Sequence, residues 1–489
     1  MTTTRYLIID KVNEVYLKIE ADADIRRELG EFFTFEVPGY KFMPQYRNRV
    51  WDGKIRLFSY ANGKIYAGLY PYILDWCKNN DVHVVDGTKI KETKVDDTKL
   101  DNLIKALKLP FEVRDYQKEA FKYSVQKDRC LLVSPTASGK SLIVYLMLIY
   151  NLLRLKDTKQ DKILIIVPTT SLVEQLFKDF KDYGYNSDRN VHRIYSGHEK
   201  ETNKRVIIST WQSIYNLPKK WFEQFGMIIG DEAHLFKAVS LTKLMTKLEK
   251  CKYRIGLTGT LDGTQTHRLV LEGLFGQVKK IISTKELIDR GTLAQLDIDC
   301  IVLKHTEEEA KRVRYYTYAE EINYLVSHPK RNKFIEKLCE SIKGNTLLLF
   351  QLVEKHGVLL YNEIKTLDRK VFFVYGGTTT ETREKIRAIT EKETNAIIVA
   401  SYGTFSTGIN IRAINNIVFA SPSKSRIRVL QSIGRGLRQS DDKSRVKLFD
   451  VSDNITYKSR PNFTYRHFTQ RLNIYKEEQF QYKVDRITL

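Results

Sequence analysis

The chain has 489 residues, 42% of them hydrophobic and 29% charged, which is typical of a soluble globular protein with more than one buried core. Lysine and arginine total 81 against 59 aspartates and glutamates, giving a net charge of +22. A surplus of this size favours polyanionic partners, with nucleic acid first and an anionic membrane surface second.

Cysteine spacing and apolar runs argue against several protein classes. The five cysteines form no Cys-x-x-Cys pair and no histidines cluster in the sequence, which argues against a structural zinc site and a disulfide scaffold. The N-terminus lacks the apolar core of a signal peptide, and the longest apolar run, residues 142–153, is too short to span a bilayer. We therefore expect a cytoplasmic protein without a membrane partner, in the host-cell cytoplasm if a phage encodes it.

Residues 1–86 predict a small N-terminal α/β domain. Tyr6–Ile9 and Val15–Ile19 alternate like paired strands, and Ala23–Phe33 has helical spacing. Asn62-Gly63 predicts a two-residue hairpin turn, because a type I′ turn needs positive φ at both positions.

Basic and aromatic residues interleave between that helix and that hairpin, as required of a surface that neutralises phosphates and stacks on bases. The candidate nucleic-acid contacts are Arg47, Arg49, Trp51, Lys54 and Arg56. The alternative is a solvated face whose aromatic rings turn into a small core.

The remainder of the chain predicts an α/β fold with two tandem parallel-sheet lobes. Residues 87–109 predict a linker with one short amphipathic helix. Strands and helices alternate through 110–285 and again through 286–455, which predicts two parallel sheets covered on both faces. A capping box at Thr378 and Glu381 predicts a helix start in the second lobe. Residues 456–489 predict a helical C-terminal segment.

Ser134–Ser141 lies between an apolar strand and an apolar helix, the context of a Walker A loop. Backbone N–H groups of such a loop surround phosphates, the lysine reaches the β and γ oxygens, and the hydroxyl after it ligates Mg²⁺. The first position is serine, where the general pattern has glycine. The predicted ATP-binding residues of the loop are Thr136, Ser138, Gly139, Lys140 and Ser141.

Asp231 and Glu232 follow the apolar run Met227–Ile229, as in a Walker B strand. Asp231 is predicted to hold Mg²⁺ together with Ser141, and Glu232 to orient the hydrolytic water. The alternative is a helix N-terminus with favourable acids.

Gln431, Arg435 and Arg438 are spaced so that one face of a helix would present them together. Two guanidiniums presented in this way can neutralise charge on a transferring phosphoryl group. Because they belong to the second lobe, we expect the catalytic site to be complete only when the lobes close on ATP. The alternative is a basic surface helix.

Taken together and in this order, these motifs resemble those of the superfamily 2 helicases of the DExH/DEAH type. The resemblance implies two RecA-like lobes and adds Gln117 as an adenine contact and Gly408 in a segment that links strand binding to ATP. It also implies nucleic-acid contacts by Thr169, Thr170, Thr210 and Ser401, and a coupling role for Leu257–Thr260. The N-terminal segments Phe32–Phe35, Gly39–Phe42 and Trp51–Leu57 resemble those of phage recombination helicases that migrate DNA branches.

That resemblance implies an ATP- and Mg²⁺-dependent motor acting on branched or double-stranded DNA and on RNA–DNA hybrids. The expected substrates are Holliday junctions, replication forks and R-loops, in recombination, repair and replication. We expect a monomeric motor, with recombination or single-strand-binding proteins as candidate partners. The alternatives are a duplex translocase of the restriction type, an RNA helicase, and a nucleic-acid scaffold with an inactive nucleotide site.

Overall fold

The computed structural model describes residues 5–237, 239–404, 411–421, 423–438 and 443–489. The chain divides into two compact units, which are treated separately below. One unit holds Met1–Ser134 with Gly139–Ile281, and the other holds Pro135–Ser138 with Ile282–Leu489.

The N-terminal part of the first unit contains a five-stranded sheet and a two-stranded sheet. Its strands are β1 (Tyr6–Lys11), β2 (Tyr16–Ala21), β3 (Thr34–Glu36), β4 (Lys54–Arg56), β5 (Phe58–Ser59), β6 (Lys64–Tyr66) and β7 (His83–Asp86). The larger sheet has the order β5-β6-β2-β1-β7, and β3 pairs with β4. The predicted β1–β2 pair is confirmed as antiparallel. Alternate residues of both strands are buried, as a half-buried sheet requires.

The predicted hairpin at Asn62-Gly63 exists, but its turn is longer than expected. Ser59 pairs with Lys64, so four residues connect the two strands. Gly63 has a φ of 66°, whereas the φ of Asn62 is not positive. A type I′ turn needs positive φ at both residues, so that prediction is wrong.

The second part of the first unit is a seven-stranded parallel sheet. Its strands are β8 (Arg129–Val133), β9 (Lys162–Val167), β10 (Val191–Ile194), β11 (Val206–Thr210), β12 (Phe225–Gly230), β13 (Tyr253–Thr258) and β14 (Val278–Lys280), in the order β10-β11-β9-β12-β13-β8-β14. Every residue of β11, β12 and β13 is buried, because helices cover both faces.

Twelve α-helices of the first unit are described. They are α1 (Ala23–Phe32), α2 (Pro44–Arg47), α3 (Tyr70–Asn79), α4 (Asp97–Ala106), α5 (Asp115–Lys127), α6 (Lys140–Arg154), α7 (Thr170–Asp182), α8 (Ser187–Asn190), α9 (Trp211–Ile214), α10 (Lys219–Phe222), α11 (Val239–Lys247) and α12 (Gln265–Phe275). Helix α4 is the one predicted in the linker, and its Leu100 is buried in the core of the parallel sheet.

The N-terminal sheet and the parallel sheet share one hydrophobic core. That core includes Leu7 and Ile9 of strand β1 together with Leu131 of strand β8 and Phe275 of helix α12. The Tyr72 hydroxyl also donates to the Glu272 carboxylate at 2.7 Å. The N-terminal domain is therefore joined to the parallel sheet through a shared core.

The second unit is built on another seven-stranded parallel sheet. Its strands are β15 (Gln295–Lys304), β16 (Thr346–Phe350), β17 (Val371–Val374), β18 (Ile397–Ser401), β19 (Asn416–Phe419), β20 (Arg445–Asn454) and β21 (Tyr482–Thr488), in the order β17-β18-β16-β19-β20-β15-β21. The described helices are α13 (Thr284–Asp289), α14 (Glu307–Val313), α15 (Tyr318–Val326), α16 (Pro329–Ser341), α17 (Val358–Ile364), α18 (Thr380–Thr390), α19 (Arg426–Gly436) and α20 (Phe463–Glu477).

Two local expectations for the second unit need correction. Helix α18 is capped by Thr379, whose side chain accepts from the Thr382 amide, so the predicted capping box at Thr378 is wrong by one residue. The C-terminal segment contains the expected helix α20, but strand β21 follows it and pairs in parallel with β15.

Helix α20 is anchored by a buried charge network. Arg471 donates from Nε and Nη2 to the two carboxylate oxygens of Asp450 at 2.8 and 2.7 Å, and both residues are buried. The Tyr475 hydroxyl donates to the same carboxylate at 2.9 Å. A bidentate pair with a further donor satisfies the buried carboxylate.

Two expectations about composition can be compared with the fold. All five cysteines are free and buried. Among the described residues, no helix is long and apolar enough to cross a membrane.

Candidate nucleotide and nucleic-acid site

The Ser134–Ser141 loop follows β8 and leads directly into α6. The Ser134 amide donates to the Thr258 carbonyl at 2.9 Å, which ties the start of the loop to the end of β13. Ala137 and Gly139 have φ values of 67° and 80°, so the chain turns sharply before the helix. The Lys140 ammonium donates to the Ser134 carbonyl at 3.2 Å and is thereby held over the loop.

Gly139 is required by its conformation and by its neighbour. A Cβ at this position would lie 2.4 Å from the side-chain nitrogen of Gln117, and the φ of 80° is one that other residues rarely adopt. The Gln117 side-chain oxygen accepts from the Arg114 amide at 3.0 Å, which fixes the orientation of its amide. The fold therefore places Gln117 beside the loop.

Asp231 and Glu232 lie immediately after β12, at the edge of the sheet where the loop begins. The Asp231 amide donates to the Ile166 carbonyl at 2.9 Å, and its carboxylate accepts from the Glu232 amide at 2.9 Å. Glu232 has a φ of 50°, a strained conformation for a residue with a side chain.

The electrostatics of Asp231 are set by burial and by two neighbours. Burial and the charge of Glu232 raise the pKa of Asp231, and the ammonium of Lys140 opposes that rise. The lysine of the loop therefore acts on the carboxylate that follows β12.

The predicted magnesium ligands, Ser141 and Asp231, are both oxygen donors, which suit a hard cation. The Ser141 hydroxyl shares a hydrogen bond of 2.8 Å with the Tyr183 hydroxyl. Tyr183 was not predicted from the sequence, because it follows a different helix, α7. The donor types at this edge therefore fit Mg²⁺.

His234 connects the carboxylates to the predicted coupling segment. Its Nδ1 lies 3.0 Å from the Thr258 hydroxyl and 3.3 Å from a Glu232 carboxylate oxygen. The Thr258 hydroxyl donates to the Thr260 carbonyl at 3.0 Å, so it accepts from the Nδ1–H of His234. Hydrogen bonding in this segment survives although Gly259 occupies its centre.

The predicted nucleic-acid segments of the first unit follow neighbouring strands of the same sheet. Thr210 ends β11 and pairs with Val167 at the end of β9. Thr169 caps α7, where its side chain accepts from the Leu172 amide, and Thr170 begins that helix and is exposed. The carboxyl edge of this sheet therefore carries both the Ser134–Ser141 loop and the predicted nucleic-acid segments.

In the N-terminal basic–aromatic segment, some side chains pack against each other and others are exposed. Tyr40 and Tyr46 pack edge to face with ring centroids 4.7 Å apart, as the core alternative expects. Phe42 and Val50 are 77% and 79% exposed. The predicted basic contacts that are exposed are Arg47, Arg49, Lys54 and Arg56.

Contacts within the segment position the side chains of Trp51 and Arg56. The indole nitrogen of Trp51 donates to the Lys54 carbonyl at 2.9 Å, and Arg56 pairs with Asp52. Lys54 and Arg56 line a cavity of about 820 Å³, whose other lining residues include Arg27 and Tyr60. Those two were missed because they lie outside the segment in sequence.

The structure describes most, but not all, of the predicted site residues of the second unit. The Ser401 hydroxyl, at the end of β18, shares a hydrogen bond of 2.8 Å with Thr404. Gly408 lies outside the described residues. Gln431 and Arg435 are on α19, but that helix ends at Gly436, so Arg438 does not share its face as predicted.

Arg438 instead forms an antiparallel bridge with Leu293. Gly436, the last residue of the helix, packs closely on the core: a Cβ there would lie 2.4 Å from Ile417. The backbone at Arg438 is therefore placed by this isolated bridge and not by the helix.

Three family models match the chain in the order of its parts. The model described as "DNA helicase UvsW, N-terminal" matches residues 11–86, and the "Type III restriction enzyme, res subunit" model matches 110–263. The "Helicase conserved C-terminal domain" model matches residues 329–440.

Individual relatives give the same result. The ATP-dependent DNA helicase UvsW of Enterobacteria phage T4 is 33% identical over 97% of this chain and 98% of its own length. The crystal structure of T4 UvsW is 30% identical, covers 99% of both chains and superposes with a TM-score of 0.52. A DNA-bound type ISP restriction–modification enzyme, LlaBIII, shares the fold at 15% identity and a TM-score of 0.55. The chain therefore belongs to the UvsW family of superfamily 2 helicases.

Proposed function

We propose that this helicase uses ATP and Mg²⁺ to remodel branched DNA, including Holliday junctions, forks and R-loops, in recombination, repair and replication. The observation that carries the proposal is where several motifs lie on the parallel sheet formed by β8–β14. The phosphate loop, Asp231, and the Thr169 and Thr210 segments follow strands β8, β12, β9 and β11, so all lie at the carboxyl edge of one sheet. ATP and a nucleic-acid backbone would thus bind to one rigid frame.

Each residue of the nucleotide site has a role in this mechanism. Loop N–H groups and Lys140 bind the phosphates, and Gln117 contacts adenine. Ser141 and Asp231 would hold Mg²⁺, which when bound neutralises charge on the phosphate oxygens. Glu232 accepts a proton from the hydrolytic water, and one of its carboxylate oxygens lies 3.3 Å from Nδ1 of His234.

The second unit contributes charge stabilisation. Arg435 and Arg438 neutralise the transferring phosphoryl group, and Gln431 orients it. The roles of Arg435 and Arg438 do not require a common helix face, because each guanidinium reaches a phosphate oxygen independently.

Binding of the DNA is assigned to backbone contacts. Arg47, Arg49, Lys54 and Arg56 are exposed, and the net charge is +22, so contacts to phosphates supply affinity without reading sequence. Phosphate contacts accept any branched substrate whose arms reach them.

Two alternatives are favoured by separate observations. The restriction-enzyme family model matches residues 110–263, which suits a duplex translocase that does not separate strands. The Asp-Glu-Ala-His spelling at 231–234 occurs in RNA motors as well. A strand-displacement assay beside a triplex-displacement assay distinguishes a helicase from a duplex translocase. Stimulation of the ATPase by single-stranded RNA tests the RNA-helicase alternative.

The first test compares ATPase stimulation by forks, junctions, R-loops, linear duplex and single-stranded RNA. We expect branched DNA to stimulate the wild-type enzyme most. Lys140→Ala should abolish hydrolysis on every substrate while DNA affinity stays unchanged, because that lysine contacts phosphates of ATP alone. Lys392→Ala, an exposed lysine outside the site, is the matched control. Hydrolysis at the wild-type rate in Lys140→Ala would refute the loop assignment.

A further inference from the structure

A cavity of about 330 Å³ opens in the second unit beyond the carboxyl ends of β15 and β20. These two strands are neighbours in the sheet and end in register at Lys304 and Asn454. The side chains that matter here line the cavity and follow those strands: Arg314, Tyr315, Tyr457, Lys458, Arg460 and Arg466.

The aromatic part of this cavity is unusually exposed. Tyr315 is 76% exposed, although burying a ring of this size would be favourable. The guanidinium of Arg314 lies 4.5 Å from the Tyr315 ring centroid and 5.5 Å from that of Tyr457. The exposed Tyr315 ring and the Arg314 guanidinium that lies against it therefore form a flat surface that solvent reaches, beside the half-buried Tyr457.

The basic part of the cavity is held by a tight turn. The Arg460 amide donates to the Tyr457 carbonyl at 3.1 Å, and Lys458 within that turn has a φ of 52°. This left-handed conformation is strained for lysine and is kept only where the surroundings impose it. Lys458 and Arg460 are both exposed as a consequence of the turn.

The acid in the lining does not neutralise these cations. Glu321 is buried, and its carboxylate accepts from the side chain of Asn462 and from the amides of Phe463 and Thr464. Arg466, by contrast, is exposed above the Phe463 ring at 4.5 Å. The rim therefore presents four cations beside open aromatic faces.

We propose that this cavity binds one nucleotide of a single strand of nucleic acid, an inference that rests on the proposed function. The base stacks against Tyr315 and Arg314, and the flanking phosphates pair with Lys458 and Arg460. A duplex fits less well, because its bases are stacked on each other and offer no free face to a tyrosine.

The position of the cavity supports a continuous path. Ser401 ends strand β18, which belongs to the same parallel sheet as β15 and β20. Carboxyl ends of parallel strands share one edge, so Ser401 and the cavity lie at the same edge of this sheet. A strand that contacts Ser401 can extend along that edge to Tyr315.

The test uses the full chain and three fluorescent probes: an oligothymidylate, the same oligomer with abasic positions, and a blunt duplex. Tyr315→Ala should weaken binding of the oligothymidylate by about tenfold, since stacking supplies that much per base. Its affinity for the abasic oligomer and the duplex should not change. The high exposure of Tyr315 means that this substitution leaves the fold intact.

The charge component is tested separately. The double variant Lys458→Ala/Arg460→Ala should weaken both single-stranded probes and reduce the salt dependence of log Kd by about 1.4, or 0.7 for each lost phosphate contact. Lys392→Ala removes an exposed charge just before β18, at the opposite edge of the sheet, and is the control.

Three outcomes overturn the inference. The first is that Tyr315→Ala and the control bind the oligothymidylate with equal affinity. The second is that Tyr315→Ala loses as much affinity for the abasic oligomer as for the oligothymidylate. The third is that it loses as much affinity for the duplex as for the single strands. Failure of the proposed function looks different, because the wild-type enzyme would then show no ATPase stimulation by branched DNA.

Discussion

At the scale of single residues, His234 lies between Glu232, the predicted catalytic carboxylate, and the end of the next strand. It lies within 3.3 Å of Glu232 and 3.0 Å of the Thr258 hydroxyl, which in turn donates to Thr260. We therefore expect movement of the segment 258–260 to reach Glu232 through the Thr258–His234 hydrogen bond and the 3.3 Å contact between His234 and Glu232. The sequence alone did not reveal this link, because it depends on β12 and β13 being neighbours.

Thr258→Val should separate ATP hydrolysis from strand separation. Valine keeps the shape of threonine but loses the hydroxyl, at a cost of about 1 kcal/mol for each lost hydrogen bond. We expect basal ATPase to change little and strand displacement per ATP hydrolysed to fall several-fold. The measurement is the ratio of the two rates, with Thr246→Val, on the exposed face of α11, as control. An unchanged ratio would show that the link does not transmit motion.

A second residue-scale effect concerns acid stability. His356 is buried, and its Nδ1 lies 2.9 Å from the Ser421 hydroxyl. Burial, together with the charge of Arg331, lowers the pKa of His356 to about 3 from an ordinary 6.5, while Asp453 opposes the shift. The native state therefore holds this histidine neutral.

The sign of the pH dependence follows from that pKa. Below pH 6.5 the unfolded chain binds a proton that native His356 does not, so stability is full above pH 6.5 and falls as the pH drops towards 3. At pH 5 the loss from this residue is about 2 kcal/mol, at 1.4 kcal/mol per pH unit. Urea unfolding of the wild type and His356→Gln between pH 7 and about 5 measures it. The variant should show the flatter profile, and parallel profiles would contradict the assignment.

At the scale of elements, the sequence predicts those strands that are apolar throughout. Strand β12 contains the predicted apolar run Met227–Ile229, since burial on both faces leaves an uninterrupted apolar sequence. Strand β21 was missed because Lys483, Asp485 and Arg486 interrupt its pattern. An edge strand is half exposed and tolerates charge, so its pairing with β15 leaves little local trace.

Turns and helix ends were predicted less well, for a related reason. The Asn62-Gly63 pair fixes that a hairpin exists, but the register Ser59–Lys64 is set by burial of the strands. Helix α19 ends at Gly436, and Arg438 beyond it bridges to Leu293, which no spacing of Gln431 and Arg435 could indicate.

Docking of the N-terminal sheet depends on one close backbone approach. A Cβ at Gly68 would lie 2.0 Å from the Glu272 carbonyl oxygen, in helix α12. Gly68→Ala should therefore force the two elements apart and lower the free energy of unfolding by about 1–3 kcal/mol. Gly30→Ala is the control, since its Cβ would meet only Phe58 at 3.8 Å and helix α1 would gain propensity. Equal stability of the two variants in urea unfolding would show that the interface adjusts freely.

At the scale of the whole molecule, each parallel sheet concentrates its functional groups at its carboxyl edge. On the sheet of β8–β14 the predicted groups are the loop Ser134–Ser141, Asp231, Thr169 and Thr210, and on the sheet of β15–β21 they are the predicted Ser401 and the proposed Tyr315 cavity. The sequence predicts the motifs and the strands that carry them, because both are local. It does not predict the cavity, because Tyr315 and Arg460 are brought together only when β15 and β20 pair.

The last prediction concerns the arginines of the second unit. If Arg435 and Arg438 stabilise charge that develops during phosphoryl transfer, replacing either with alanine should lower turnover by about 10³-fold. The affinity for ATP should change far less, because the ground state makes the same contacts with Lys140 and the loop. Single-turnover hydrolysis and ATP titration on the same preparations measure the two quantities.

Arg445→Ala is the matched control for these variants. Arg445 is exposed at the start of β20 and paired with Asp297 at 2.9 Å, so its loss removes a guanidinium outside the predicted site. A surface ion pair of this kind contributes little to stability, and turnover should be unaffected. If turnover and ATP affinity fell in parallel in Arg435→Ala and Arg438→Ala, the arginines would bind the nucleotide without acting on the transition state. Normal turnover in both would instead favour the basic surface helix.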